Sequence, residues 1–121
     1  MRKYLLHILI ISFVFHLAPT AQAASYEDEK RLEDAKEEVR NNPDDAEAHK
    51  NLGFAYAESG KYQEAIESYK QAIRIDPDYA LAHYNIGIAY LGLNDRGSAL
   101  EQYKILKKLD TEEANELFNE I

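Results

Sequence analysis

The residues of this 121-residue chain best suited to chemistry are His49, His83, its carboxylates and its nine tyrosines, with no cysteine among them. Without cysteine there is no disulfide, no thiolate nucleophile and no lipid-modified N-terminal cysteine. His49 and His83 stand 34 residues apart and invite a metal hypothesis. If they hold corresponding places on stacked helices they lie an interhelical distance of ~8–10 Å apart, whereas shared zinc coordination brings ring nitrogens to ~2 Å from one ion. No third ligand is positioned beside them, so both are read as half-buried packing residues, and no metal or other cofactor is expected. Enzyme readings fail on inventory as well. No serine, histidine and carboxylate stand at a recognisable strained turn, no glycine-rich loop offers amides to a phosphate, and the acids are spread over helix surfaces. The expectation is a chain without catalytic activity or a small-molecule substrate.

Charge narrows the partners. The chain carries 22 acidic against 14 basic residues, a formal net charge of −8. Such a surface repels phosphate backbones, so nucleic acid is not expected as a ligand. The first 23 residues differ from the rest: Arg2 and Lys3 precede an apolar stretch from Tyr4 to Ala18, and Ala21 and Ala23 put small residues at the −3 and −1 places of a cleavage site. Residues 1–23 therefore read as a secretory signal peptide, and the product as exported, periplasmic or secreted. Roughly 15 apolar residues interrupted by His7 and His16 fall below the ~20 that comfortably span a bilayer; left uncleaved, they would make a membrane anchor. Cleavage would leave 12 basic residues against 22 acidic, a charge of about −10.

What must position the remaining residues is a repeat. Sliding the sequence by 34 places matches His49 with His83, Asn51 with Asn85, Gly53 with Gly87, Tyr56 with Tyr90, Ala65 with Ala99 and Tyr69 with Tyr103, among thirteen identities in that one offset. Two units follow, 44–77 and 78–110. Residues 24–43 form a charged N-terminal segment whose Leu32, Ala35 and Val39 make a thin apolar stripe, predicting a weakly docked helix from about Glu27 to Arg40 that ends before Pro43. In the first unit Asp44 or Asp45 caps a helix to about Ser59, with Glu47 in capping-box register, Gly60 turns the chain, and a second helix runs from Tyr62 to Ile75. In the second unit the helices run from about Tyr79 to Leu91 and, capped by Asp95, from Arg96 to Leu109. Residues 111–121, capped by Thr111, carry Ala114, Leu117, Phe118 and Ile121 at helical spacing and read as a capping helix on the end of the stack.

Small residues mark where helix backbones approach, which assigns Gly53, Gly87, Ala65 and Ala99, while Tyr56, Tyr69, Tyr90 and Tyr103 fill the gaps. The spacing Leu52-Gly53, Tyr56, Ala65, Tyr69, Ala72, Pro77, repeated as Ile86-Gly87, Tyr90, Ala99, Tyr103, resembles the tetratricopeptide repeat, a 34-residue helix-turn-helix unit. His49 and His83 stand where that family often has tryptophan; Leu106 replaces a small residue and Thr111 the proline, changes that suit a terminal unit. The resemblance implies an all-α fold, a short solenoid of helix-turn-helix repeats with flanking N- and C-terminal helices. Two repeats are fewer than the three usually needed to bury a continuous core, so either the flanking helices or a second protomer must close the ends.

The resemblance also implies a concave groove lined by the first helix of each repeat, used to hold a peptide or helix of another protein. The groove positions of interest are Lys50 and Phe54 in one copy and Leu81, Tyr84, Ile88 and Leu91 in the other. None is shared between the copies, so each is free to serve a partner. Leu81, Tyr84, Ile88 and Leu91, at spacings of three, four and three, predict one apolar stripe, and an exposed patch of that kind marks an interaction site; the competing reading is that a neighbouring helix covers it. Some family members clamp a partner's C-terminal carboxylate, but Phe54 and Ile88 stand where polar groups would be wanted, and Asn51 and Asn85 are read as helix-packing residues. The functional expectation is an exported adaptor or scaffold for another protein. The alternatives are a structural homodimer formed through the same stripe and a membrane-tethered module with an uncleaved anchor.

Overall fold

The first four turns of the chain each fall at a residue that a helix does not accommodate. Gly60 takes φ of 72° and Asn94 φ of 59°, left-handed conformations open to glycine and tolerated by asparagine, and the other two of these turns contain Pro43 and Pro77. The structure, a computed structural model, describes the backbone of residues 2–109 and 111–121 and the side chains of residues 22–109 and 111–121. Its elements are α1 (Arg2–Asn41), α2 (Ala46–Glu58), α3 (Tyr62–Ile75), α4 (Ala80–Gly92), α5 (Arg96–Lys108) and α6 (Glu112–Glu120). The architecture is the all-α stack of helix pairs. The signal-peptide expectation for 1–23 falls almost wholly outside the described side chains. Among the described residues no helix is long and apolar enough to cross a membrane.

Local chemistry explains the boundaries, and three expectations need correction. Asp45, not Asp44, caps α2 by accepting from the Glu47 amide at 2.9 Å; this frees the Glu47 side chain from the capping box for other partners. Asp95 caps α5, accepting from the Ser98 amide and hydroxyl, and those bonds hold its carboxyl below the usual range. Thr111 makes no side-chain cap: the Ala114 amide donates to the Thr111 backbone oxygen at 3.3 Å, leaving the Thr111 hydroxyl buried without a partner among the described residues. The helix predicted to begin near Glu27 is already helical at Gln22. It is also firmly seated, because Leu32 and Ala35 bury themselves beside the small Ala55, with Leu52 and Tyr56 closing round them.

The core continues down the stack in two further clusters. Ala65, Tyr69 and Ile86 join α3 to α4, flanked by Tyr56, Ile73 and Tyr90. Leu106, Ala114 and Leu117 join α5 to α6, with Tyr84, Ile88, Leu91, Tyr103 and Ile121 packed around them. The two corresponding glycines differ in what they admit. A Cβ on Gly53 would stand 2.5 Å from the Tyr69 ring, whereas one on Gly87 would stand 2.5 Å from a Leu117 methyl. Thus α6 supplies to the second unit the filler that α3 supplies to the first, and Tyr103 is released to stack on Phe118 at a centroid distance of 5.4 Å.

Candidate functional site

The first helices of the two units, α2 and α4, stand side by side and leave a depression of about 360 Å³ lined by Lys50, Asn51, Phe54, Leu81 and Asn85. Helical spacing puts Lys50, Asn51 and Phe54 on one face of α2, and Leu81 and Asn85, four apart, on one face of α4. Phe54 is 52% exposed and Leu81 39% exposed. Three of the six residues expected in a groove are therefore brought together here. Asn51 and Asn85, expected only to pack helices, line the same depression; their identical place in the two copies was the available signal.

The stripe of four on α4 is divided by the structure. Leu81 is open, but Tyr84, Ile88 and Leu91 are half-buried against the cluster that α6 builds. The expectation of a face the stack does not need is corrected to that extent, because a bare strip of three large apolar residues is the surface on which an amphipathic helix gains most by docking. The Tyr84 hydroxyl is pushed up in pKa by burial and by Glu116 and Glu120 of α6.

Polar contacts set the rim of the depression. The Lys50 ammonium pairs with Glu47, whose other oxygen accepts from the Tyr79 hydroxyl. The hydrogen bond from Lys50 and then that from Tyr79 hold the Glu47 carboxyl below the usual carboxylate range. Burial, then the Glu47 bond, raises the Tyr79 hydroxyl above its own. Lys50 thus reaches the groove with its charge compensated, and the groove floor offers an aromatic ring, a leucine and two amides. Phe54 and Asn51 also border a neighbouring depression of about 280 Å³ toward α1, lined there by Arg31, Asp34, Ala35 and Glu38. Arg31 is paired with Glu58, which leaves Asp34 and Glu38 as its uncompensated charges among the described residues. The concave face is apolar at its centre and acidic at its α1 end.

The histidines perform a repeated structural task. The His49 Nε2 lies 2.7 Å from the Pro43 carbonyl, and the His83 Nε2 lies 2.9 Å from the Pro77 carbonyl, each tying the turn before its helix to the helix itself. His83 is buried, and its Nδ1 meets the Gln102 side chain at 3.0 Å. Among the described residues no group of three or more potential metal ligands converges.

Two family models match the chain, one described as TPR repeat over residues 55–94 and one as tetratricopeptide repeat over residues 35–67. Among solved structures, MamA from Desulfovibrio magneticus RS-1 is 25% identical with a TM-score of 0.67, over 69% of this chain and 48% of that one. YrrB, described as a TPR protein with an unusual peptide-binding site, is 25% identical with a TM-score of 0.71, over 83% of this chain and 53% of that one. The TPR2B domain of yeast Sti1, solved with an Hsp70 peptide, is 22% identical with a TM-score of 0.71, over 83% of this chain and 86% of that one. The chain spans about half the length of the MamA and YrrB structures it matches. No curated protein matches it. With a 34-residue repeat of paired helices, glycine and tyrosine at its packing points and both family models upon it, the chain belongs to the tetratricopeptide repeat family.

Proposed function

We propose that this chain is an exported protein-interaction module, an adaptor that holds a peptide or helix of another protein in the depression between α2 and α4. The observation that carries the reading is the joint exposure of Phe54 and Leu81 on one depression, at places where the two copies of the repeat differ. Residues that serve the stack recur in both copies, and these two do not. A large aromatic and a leucine left in water forgo the stabilisation that burial would give until something covers them, and an apolar pair rimmed by amides and compensated charge is the usual make-up of a binding cleft. The YrrB likeness supports the same reading, since that protein is described as having a peptide-binding site. Export is supported by Arg2, Lys3, the apolar stretch to Ala18 and the small residues at Ala21 and Ala23.

Lys50, Phe54 and Leu81 make the primary contacts, and Tyr84, Ile88 and Leu91 extend the apolar floor toward α6, where a bound segment and α6 share it. Phe54→Ser with Leu81→Ser tests the assignment, using Lys70→Ser on the exposed side of α3 as control. The groove pair loses capture of the partner while helicity and melting temperature hold, and the control keeps it. Equal capture by all three proteins refutes the groove.

A further inference from the structure

The two ends of the stack are unlike and complementary. In the 34-residue register α1 corresponds to the second helix of a pair: Ala65, Ile66, Ser68, Tyr69 and Ala72 are the buried face of α3, and 34 residues earlier stand Arg31, Leu32, Asp34, Ala35 and Glu38. Of those, Arg31, Asp34 and Glu38 are not buried, and they border the depression whose other wall is Phe54 and Asn51. Among the described residues no first helix fills that place. At the other end, Leu100 is the counterpart of Ile66; Ile66 is 0% exposed and Leu100 39%. Packed against both α4 and α5, α6 leaves Leu100 open, with Phe118 59% exposed beside Tyr103. Leu100, Tyr103, Lys104 and Lys107 share one face of α5 by spacing, and the Lys107 ammonium lies 5.9 Å from the Tyr103 ring centroid.

One end thus presents Leu100 and Phe118 with the ammonium of Lys107, Lys104 being paired with Glu101 at 2.7 Å, and the other presents Phe54 with Asp34 and Glu38. Pairing two like ends would set lysine against lysine or acid against acid, whereas unlike ends match in both polarity and charge. We propose that the α5–α6 end of one molecule docks on the α1–α2 depression of a second copy, head to tail, so that the helical stack continues from molecule to molecule. A contact of that kind joins different surfaces and need not close, so it propagates. The surface stands apart from the α2–α4 groove except at Asn51 and Phe54, which border both.

Sedimentation velocity of the full chain across concentration tests this. The expected result is a mass that rises past the dimer and falls again at high salt. Asp34→Lys with Glu38→Lys blocks one end, and Lys104→Glu with Lys107→Glu blocks the other. Each double variant keeps its far-ultraviolet circular dichroism, and its association weakens by at least about tenfold. Their equimolar mixture regains the assembly, because every altered end then meets its complement. A monomer at all concentrations, association indifferent to both reversals (as aggregation through residues 4–18 would give), or a mixture that stays dissociated overturns the proposal.

Discussion

Replacing Gly87 by alanine should have opposite effects depending on a residue thirty positions away. In the native chain the new Cβ stands 2.5 and 2.8 Å from the two Leu117 methyls and 3.3 Å from its Cγ. Leu117 is fully buried, so those atoms move aside only if α6 lifts. Overpacking of this kind costs ~1–3 kcal/mol, offset by about 1 kcal/mol that alanine gains over glycine within a helix. The single substitution is thus neutral to destabilising by about 2 kcal/mol. Leu117→Ala by itself empties a buried site, at ~2–5 kcal/mol, a large share of the ~5–15 kcal/mol of a typical domain. In that background the three obstructing atoms are gone, and Gly87→Ala stabilises by about 1 kcal/mol through propensity alone. Urea unfolding of the four proteins, followed by circular dichroism, measures the cycle. A coupling energy of ~1–3 kcal/mol is expected; additivity within ~0.5 kcal/mol would refute the seating of α6 on Gly87.

His83→Ala should cost about 1–3 kcal/mol, because it leaves the Pro77 carbonyl without its partner inside the stack, while His49→Ala, whose ring is less enclosed, costs less in the same urea titration. Glu47→Gln tests the Lys50–Glu47–Tyr79 contact. Since the folded carboxyl is lowered, its contribution is fully present above the ordinary carboxylate range and lost as pH falls through the lowered value. The side chain is largely exposed, so thermal melts should show an effect of about 0.5 kcal/mol or less at neutral pH, vanishing at acid pH. Thr111→Val removes a buried hydroxyl that has no partner among the described residues and should stabilise by about 1 kcal/mol, read as a shift of the urea midpoint at constant slope.

The repeat made much of the fold legible because each packing residue was written twice. Gly53 as a point of close approach and Tyr69 as a filler follow from that comparison, and the Asp95 cap from its place before Arg96. Where the period stops, so does the inference. Nothing in 111–121 has a second copy to show which face it turns, so the seat of Leu117 on Gly87 and the partial cover over Tyr84, Ile88 and Leu91 were not readable from spacing alone. One trace was available: Leu106, where the first copy has Ala72, is buried in the cluster with Ala114 and Leu117, a larger residue where the next helix packs differently. Within the groove, Phe54 and Leu81 could be assigned from their register. Tyr79 on Glu47 could not, since residues 32 apart meet only once the helices are stacked.

A photo-crosslinking residue placed at Phe54, and in a second protein at Lys70 on α3, tests the central claim most directly in cells that produce the full chain. The groove reading predicts that Phe54 yields a discrete adduct with another protein, that Leu81→Ser removes it, and that Lys70 yields none. Equal adducts from both positions, or none from Phe54, would contradict it.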